Sequence, residues 1–372
     1  MKILFLNSMH KSFDDRTFYH HAQYLSELEN KVFIYSTRDN ESDIYNNIKI
    51  ISNDIHELSI FIQIKTLYKL TKEIKPQIIV CDSPISVFAS FRYRLESNCK
   101  IIYDITEWIP SKKNITNVKF IKKFIKIIVL FFTNQLASLI STKLMFGEYY
   151  KSLPFVYLFF KPHKIISYYP DIKYINFSPY CVPKKQLNLL YSGNFNEEKG
   201  FDKVLELSEQ LAHLHPDKTI CLKLIGDFVC EQDKQLFLKF EKQKKDNLQV
   251  SVSSFKSFIE FCNEISDTHI FIDLRKNDFE NTHCLPIKLF YYMACGRPVV
   301  YSALKAIKKT IDINNFGYIG EPTEIDYFAL KISEYFNKPQ LYTTHCQKAL
   351  ELSHEQFCWD KIKQEFKDFI LN

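Results

Sequence analysis

YSGNFNEEKGFDKVLEL, residues 191–207, reads as a strand running into Gly193, a polar loop ending in Lys199-Gly200, and then a helix. The glycines let backbone approach a ligand closely, the helix start offers unpaired N–H groups, and the lysine adds positive charge. Together they form a seat suited to a diphosphate. The segment is not a Walker loop, which needs G-x-x-x-x-G-K-[ST]. A plain strand–loop–helix with a solvated lysine would look the same in isolation, so its surroundings decide.

Around it, 188–192, 221–225, 248–252, 269–274 and 298–302 read as short buried strands, with helices at 201–213, 231–244, 255–265 and 286–295. The front of the chain has the same rhythm. Strands are expected at 2–6, 31–36, 47–51, 77–81 and 100–105, and helices at 15–29, 57–73 and 85–96. Alternating β and α patterns of these lengths predict doubly wound parallel sheets. A loose stretch rich in proline and tyrosine, 168–186, interrupts the series. At 372 residues the chain is too long for one ordinary core and suits two α/β domains of about 150–200 residues each. The expected division is a front Rossmann-like domain over 1–172, a linker over 173–186 and a second Rossmann-like domain over 187–353. An amphipathic final helix, 354–372, is expected to pack back toward the front domain. Two such sheets facing one another would put the carboxyl ends of their strands around a shared cleft, where ligands bind.

A second segment, LPIKLFYYMACGRPVVYS over 285–302, strengthens the reading. Pro286 can start a helix, Gly296 can stop it and Pro298 can open the next strand. The loop before it, Glu280-Asn281-Thr282-His283-Cys284, is expected to offer amides to an anion at that helix N-terminus.

The pair SGNFNEEKG and LPIKLFYYMACGRPVV resembles glycosyltransferase family 4, retaining enzymes of the GT-B fold with two Rossmann-like domains. LIGD (224–227), DDRTFYHHAQYLSEL, IIYDITEW and FCWDKIKQEF extend the similarity over nearly the whole chain. The resemblance implies a divergent bacterial subfamily that moves a sugar from a UDP- or GDP-linked donor onto a glycan acceptor, often lipid-linked, with retention. It implies donor contacts from Gly193, Asn194, Lys199, Gly226, Asp227, Thr282, His283, Cys284, Leu285, Lys288 and Tyr291. The family usually carries Arg where Asn194 stands, two glutamates where His283 and Tyr291 stand, and His where Thr106 stands in Asp104-Ile105-Thr106-Glu107. Lys288 either supplies the charge missing at Asn194 or is a solvated helix lysine. A silent nucleotide-sugar-binding partner subunit and a sugar-nucleotide epimerase on the same fold stay open as alternatives.

For the chemistry, Lys199 and the amides near Gly193 are expected to hold the leaving diphosphate. Arg16, Asp104 and Glu107 are expected to reach the acceptor, although Asp104, like Asp15, also suits a turn or cap. His20 and His21 read as packing or solvated residues. No Asp-x-Asp motif is placed for a metal, and no metal or other cofactor is expected.

Charge is uneven. Over 111–190 thirteen lysines stand against only Glu148 and Asp171, a local balance of +11 in a chain of +6. Residues 118–140 interleave Lys119, Lys122, Lys123 and Lys126 with phenylalanines and isoleucines, a pattern that docks on anionic membranes or forms a core helix with a solvated lysine face. Nucleic acid would also suit the charge, but no binding module accompanies it. The longest uncharged run, 127–142, falls short of the roughly 18–20 apolar residues of a spanning helix. MKILFLN passes straight into a strand without the build of a secretory leader. The ten cysteines form no C-x-x-C pair and read as reduced core residues. The expected location is cytoplasmic, peripheral on the inner face of the plasma membrane.

Overall fold

A computed structural model of the chain describes residues 1–115 and 120–372. They form two compact units, one of Met1–Tyr168 with Ile362–Asn372 and the other of Tyr169–Lys361.

The first unit holds an eight-stranded sheet of β1 (Lys2–Asn7), β2 (Lys31–Ser36), β3 (Ser42–Tyr45), β4 (Ile48–Ser52), β5 (Ile78–Cys81), β6 (Lys100–Ile105), β7 (Lys143–Phe146) and β8 (His163–Ile165). Its order is β3-β4-β2-β1-β5-β6-β7-β8, parallel throughout except for β3, which runs antiparallel to β4. The central strands are buried along nearly their whole length, as their unbroken apolar runs require when helices cover both faces. Ser59 caps the helix Ile60–Ile74 and Ser83 caps Pro84–Arg94, each accepting a backbone N–H of the first turn. The expected helix over 15–29 is two pieces: a π-wound turn, Asp15–Ala22, followed by Gln23–Glu27.

The second unit is a six-stranded, wholly parallel sheet of β9 (Gln186–Ser192), β10 (Thr219–Ile225), β11 (Leu248–Ser253), β12 (Ile270–Asp273), β13 (Val299–Ser302) and β14 (Gly317–Gly320). Its order is β11-β10-β9-β12-β13-β14. The doubly wound α/β architecture expected from the sequence is thus present in both units. β3, β7, β8 and β14 were not among the expected strands; β3 is exposed at every position, whereas β7 is a buried KLMF stretch that the sequence reading passed over.

The expected final helix is present but starts five residues later than expected. Pro339–Glu355 ends, and after a gap of three residues a new helix, Trp359–Leu371, carries the chain into the first unit. There Phe366 and Ile370 are fully buried, and Phe366 stacks on His21 with ring centroids 4.1 Å apart. Burial, with Arg16 and His20 nearby, holds the His21 imidazole well below its usual pKa, so it packs as a neutral ring.

One helix corrects the sequence reading. Phe120–Ile140 is 21 residues long, and Ile121–Ile140 has a mean hydropathy of 1.5, which is long and apolar enough to cross a membrane. The uncharged run 127–142 had appeared too short because the helix begins earlier, among lysines. Toward its end Asn134, Ala137 and Ser138 are buried, and Asn134 Oδ1 accepts the Tyr103 hydroxyl proton at 2.7 Å, so this part is a wall of the domain. Lys119 lies outside the described residues.

In a doubly wound sheet, ligands gather where the strand order reverses. That point falls between β1 and β5 in the first unit and between β9 and β12 in the second. Removing the ring that closes the first unit's core, Phe366→Ala, should lower stability by about 3–5 kcal/mol in urea unfolding. A loss below about 1 kcal/mol would show that the terminal helix is not part of that core.

Candidate functional site

In the second unit, the loop after β9 and the loop after β12 meet at the reversal point. Gly193 follows β9 directly, and its N–H donates to Ile225 O at 3.0 Å. Gly226, just beyond β10, lies so close that an added Cβ would stand 1.8 Å from Gly193 O. Gly200, with φ +76°, would place a Cβ 2.0 Å from Leu274 O. Only glycine fits either contact. Tyr191, buried below, shares its one hydroxyl proton between Asn194 O at 2.8 Å and Lys199 O at 3.2 Å, which fixes the loop from beneath. Asn196 accepts the Lys199 N–H at 2.9 Å and closes the turn.

Two cations reach this edge. Lys199 Nζ donates to Asn281 Oδ1 at 2.9 Å, and Asn281 Nδ2 in turn donates to Glu198 O at 3.1 Å. Lys288, in the first turn of the helix Ile287–Ala294, donates to Ser192 O at 2.8 Å and lies 3.9 Å from the position of a Cβ on Gly193. Of the two readings open for Lys288, the structure favours a cation placed at the loop over a solvated one. The Asn194 side chain is exposed, and Asp227 O accepts the Phe195 N–H at 2.9 Å. Lys199, Gly193, Gly226 and Lys288 are therefore brought together.

Other expected contacts are placed differently. The N–H groups of Thr282, His283 and Cys284 are committed to Asp278 O, Phe279 O and Asn281 O at 2.8, 3.2 and 3.2 Å, so those three amides do not await an anion. Next to Leu285, the segment brings instead the amino-terminal turn of the helix and the Lys288 side chain. His283 Nδ1 lies 2.8 Å from Phe279 O. Tyr291 is only 2 % exposed, edge-on to Phe258 and Phe261, so it is a packed ring and not a presented polar group. Arg275, which the sequence reading passed over, sits just past β12 and grips Asp273 with two N–H groups, one at 2.7 Å. Burial opposes its charge, but the Asp273 carboxylate outweighs this and raises its pKa. Its position two residues beyond a strand end was the available signal.

In the first unit, Arg16 and Asp104 form a buried bidentate pair at 2.9 and 3.0 Å, and Arg16 also donates to Ile166 O at 3.1 Å. This corrects the expectation that both stand free to meet an acceptor: each is spent on the other. Glu107 is exposed beyond β6 and has no hydrogen-bond partner among the described residues. His10 was missed altogether. It lies three residues past β1, with its backbone N–H and Nδ1 each 3.2 Å from Asp82 Oδ2 beyond β5. Among the described residues, no three His, Cys, Asp or Glu side chains gather as a metal site would need.

Residues 176–350, which span the β9–β12 edge, match the model of the family described as glycosyl transferases group 1. An uncharacterized glycosyltransferase of Haemophilus influenzae is 24% identical over 196 residues, 51% of this chain and 52% of that one, so the chain spans about half the length of this curated relative. Among solved structures, sucrose-phosphate synthase from Thermosynechococcus elongatus superposes with a TM-score of 0.74 at 12% identity, covering 99% of this chain and 97% of that one. WaaG, a glycosyltransferase of lipopolysaccharide biosynthesis, gives 0.71 at 14% identity over 100% of both chains. HepE from Anabaena, in complex with UDP-glucose, gives 0.69 at 14% identity, covering 99% and 98%. The fold is that of the GT-B glycosyltransferases, and the family match supports a protein of that class.

Gly226→Ala tests the geometry directly. Its methyl group would displace the Gly193 carbonyl, so the variant should lose at least about 1–3 kcal/mol of stability in thermal or urea unfolding. Unchanged stability would mean that the two loops are not held at this distance.

Proposed function

We propose that the chain is a glycosyltransferase that takes a sugar from a nucleotide-diphosphate donor bound in the second unit and delivers it to an acceptor bound in the first. The observation that carries the reading is the convergence of Lys199 and Lys288 on the Gly193 loop at the β9–β12 reversal point. This edge offers a diphosphate two ammonium groups and the start of a helix. In the reaction the bond from the sugar's anomeric carbon to the diphosphate oxygen breaks, and a bond to the acceptor hydroxyl forms. Negative charge grows on the leaving oxygen, where fixed cations lower the barrier most. The retaining course implied by the family resemblance gives the acceptor's proton to the departing phosphate, so the protein need only position both partners and exclude water. Lys288 stands in for the arginine that the family usually places at Asn194. UDP-linked sugars are the first donors to try, and the HepE complex with UDP-glucose supports that order.

Calorimetric titration of UDP, GDP, ADP and dTDP should show one nucleotide binding in the micromolar range. Lys199→Ala and Lys288→Met should each weaken it by about 10- to 100-fold, the worth of a charge-assisted hydrogen bond. No binding by any of the four would remove the donor reading. Binding without turnover on any acceptor would favour a silent partner subunit.

The acceptor is proposed to be lipid-linked and reached at an anionic membrane, on the inner face of the plasma membrane. Support comes from the front of the Phe120–Ile140 helix, where Ile121, Phe124, Ile125, Val129 and Phe132 are each more than half exposed. A helix apolar on nearly every side needs an apolar surrounding, and Lys122, Lys123 and Lys126 can keep their charges at the headgroups. Phe160, 77 % exposed, adds to this surface. Vesicles containing phosphatidylglycerol should bind the protein at low salt, whereas Phe124→Glu with Phe132→Glu should abolish co-sedimentation without changing nucleotide affinity. Equal binding by the double variant would dismiss this face as the docking surface.

A further inference from the structure

Arg275 is a largely buried cation at the carboxyl edge of the second unit that stability alone does not explain. It stands two residues past Asp273, the last residue of β12, and grips that carboxylate through Nε at 2.7 Å and through Nη2. A buried ion pair is often no better for stability than packed apolar side chains, because both charges give up their water. The guanidinium is planar, so the two nitrogens spent on Asp273 leave Nη1 on the far side of the fork. Nη1 has no partner among the described residues, and the Arg275 side chain keeps 14 % exposure against 5 % for Asp273. The pair therefore presents its positive end outward.

That end belongs to the Gly193 edge. An added Cβ on Gly200 would stand 2.7 Å from the Arg275 backbone nitrogen, and the Lys276 N–H donates to Glu198 O at 3.2 Å, so the chain past β12 lies directly against the Lys199 loop. Ser302 donates its hydroxyl to Arg275 O at 2.7 Å and fixes the residue from β13. Burial raises the pKa of the Tyr191 hydroxyl beneath this loop, Asp273 adds to the rise and the Arg275 charge opposes it, so the guanidinium lies near that hydroxyl. Lys288 reaches the other flank: its Nζ is 5.8 Å from the centre of the Phe255 ring, which follows β11 and is half exposed. In the sheet order β11-β10-β9-β12, Phe255 and Arg275 thus stand on opposite sides of Gly193. A flat apolar ring suits a nucleobase and a guanidinium fork suits a phosphate, so the two flanks give the bound nucleotide a direction.

We propose that Arg275 binds the distal phosphate of the nucleotide diphosphate, the one that carries the sugar, through Nη1–H. The assignment rests on the proposed donor site and adds a third cation to Lys199 and Lys288. When the bond from the anomeric carbon breaks, its electron pair stays on an oxygen of this phosphate. A guanidinium already locked by Asp273 meets that charge without having to reorganise.

Calorimetry of the full chain with UDP, UMP and inorganic pyrophosphate tests the assignment. Arg275→Lys keeps a cation for Asp273 but lacks the fork, and Arg275→Gln combined with Asp273→Asn replaces the ion pair by two amides. Each variant should bind UDP and pyrophosphate about tenfold or more weakly, while UMP, which has no distal phosphate, stays within about twofold. Thermal unfolding on the same samples reports the fold, and the amide pair carries the test if the lysine variant unfolds. Unchanged UDP affinity, an equal loss for UDP and UMP, or unfolding of both variants would make the pair purely structural and overturn the proposal. If the unaltered chain binds none of the three ligands, the donor site itself fails and this assignment falls with it, an outcome distinct from a site that binds UDP without Arg275.

Discussion

The arrangement of the second unit depends on two places where backbone touches backbone with no side chain between. Gly226 lies against the Gly193 carbonyl and Gly200 against the Leu274 carbonyl. These contacts close the loops after β9, β10 and β12 into one surface. Lys199 can then reach Asn281 across 82 residues of sequence, and Lys288 can reach Ser192 across 96. In a chain with only 7 glycines, placing three of them, Gly193, Gly200 and Gly226, here shows how little tolerance the geometry has.

Much of the fold was legible because parallel sheets announce themselves. A strand buried on both faces has to be an unbroken apolar run, and the bodies of β1 and β5 are such runs. Elements without that constraint were invisible. β3 is an exposed antiparallel edge, and β8 is three residues of mixed polarity. The helix Phe120–Ile140 was misjudged for a related reason: uncharged length is a poor measure when lysines lie within the helix.

The site divides similarly. Gly193, Lys199 and Lys288 were singled out because glycine and lysine near a strand end have a direct physical meaning, and they lie at one edge of the sheet. Partners chosen by three-dimensional proximity were not found. Arg16 and Asp104, 88 residues apart, consume each other's charge, and Asp82 fixes His10 across 72. Linear spacing contains neither fact. Tyr291 shows the opposite error, since a polar atom in a motif position says nothing about whether the ring around it is packed into a core.

The central claim is that a nucleotide diphosphate sits on the β9–β12 edge of the second unit. Hydrogen exchange read by mass spectrometry, with and without saturating UDP or whichever nucleotide binds, tests this most directly. The account predicts slowed exchange in peptides covering 192–200 and 284–289, with no change in peptides covering 178–186 at the opposite end of β9. Protection confined to other segments, or none at saturation, would contradict it.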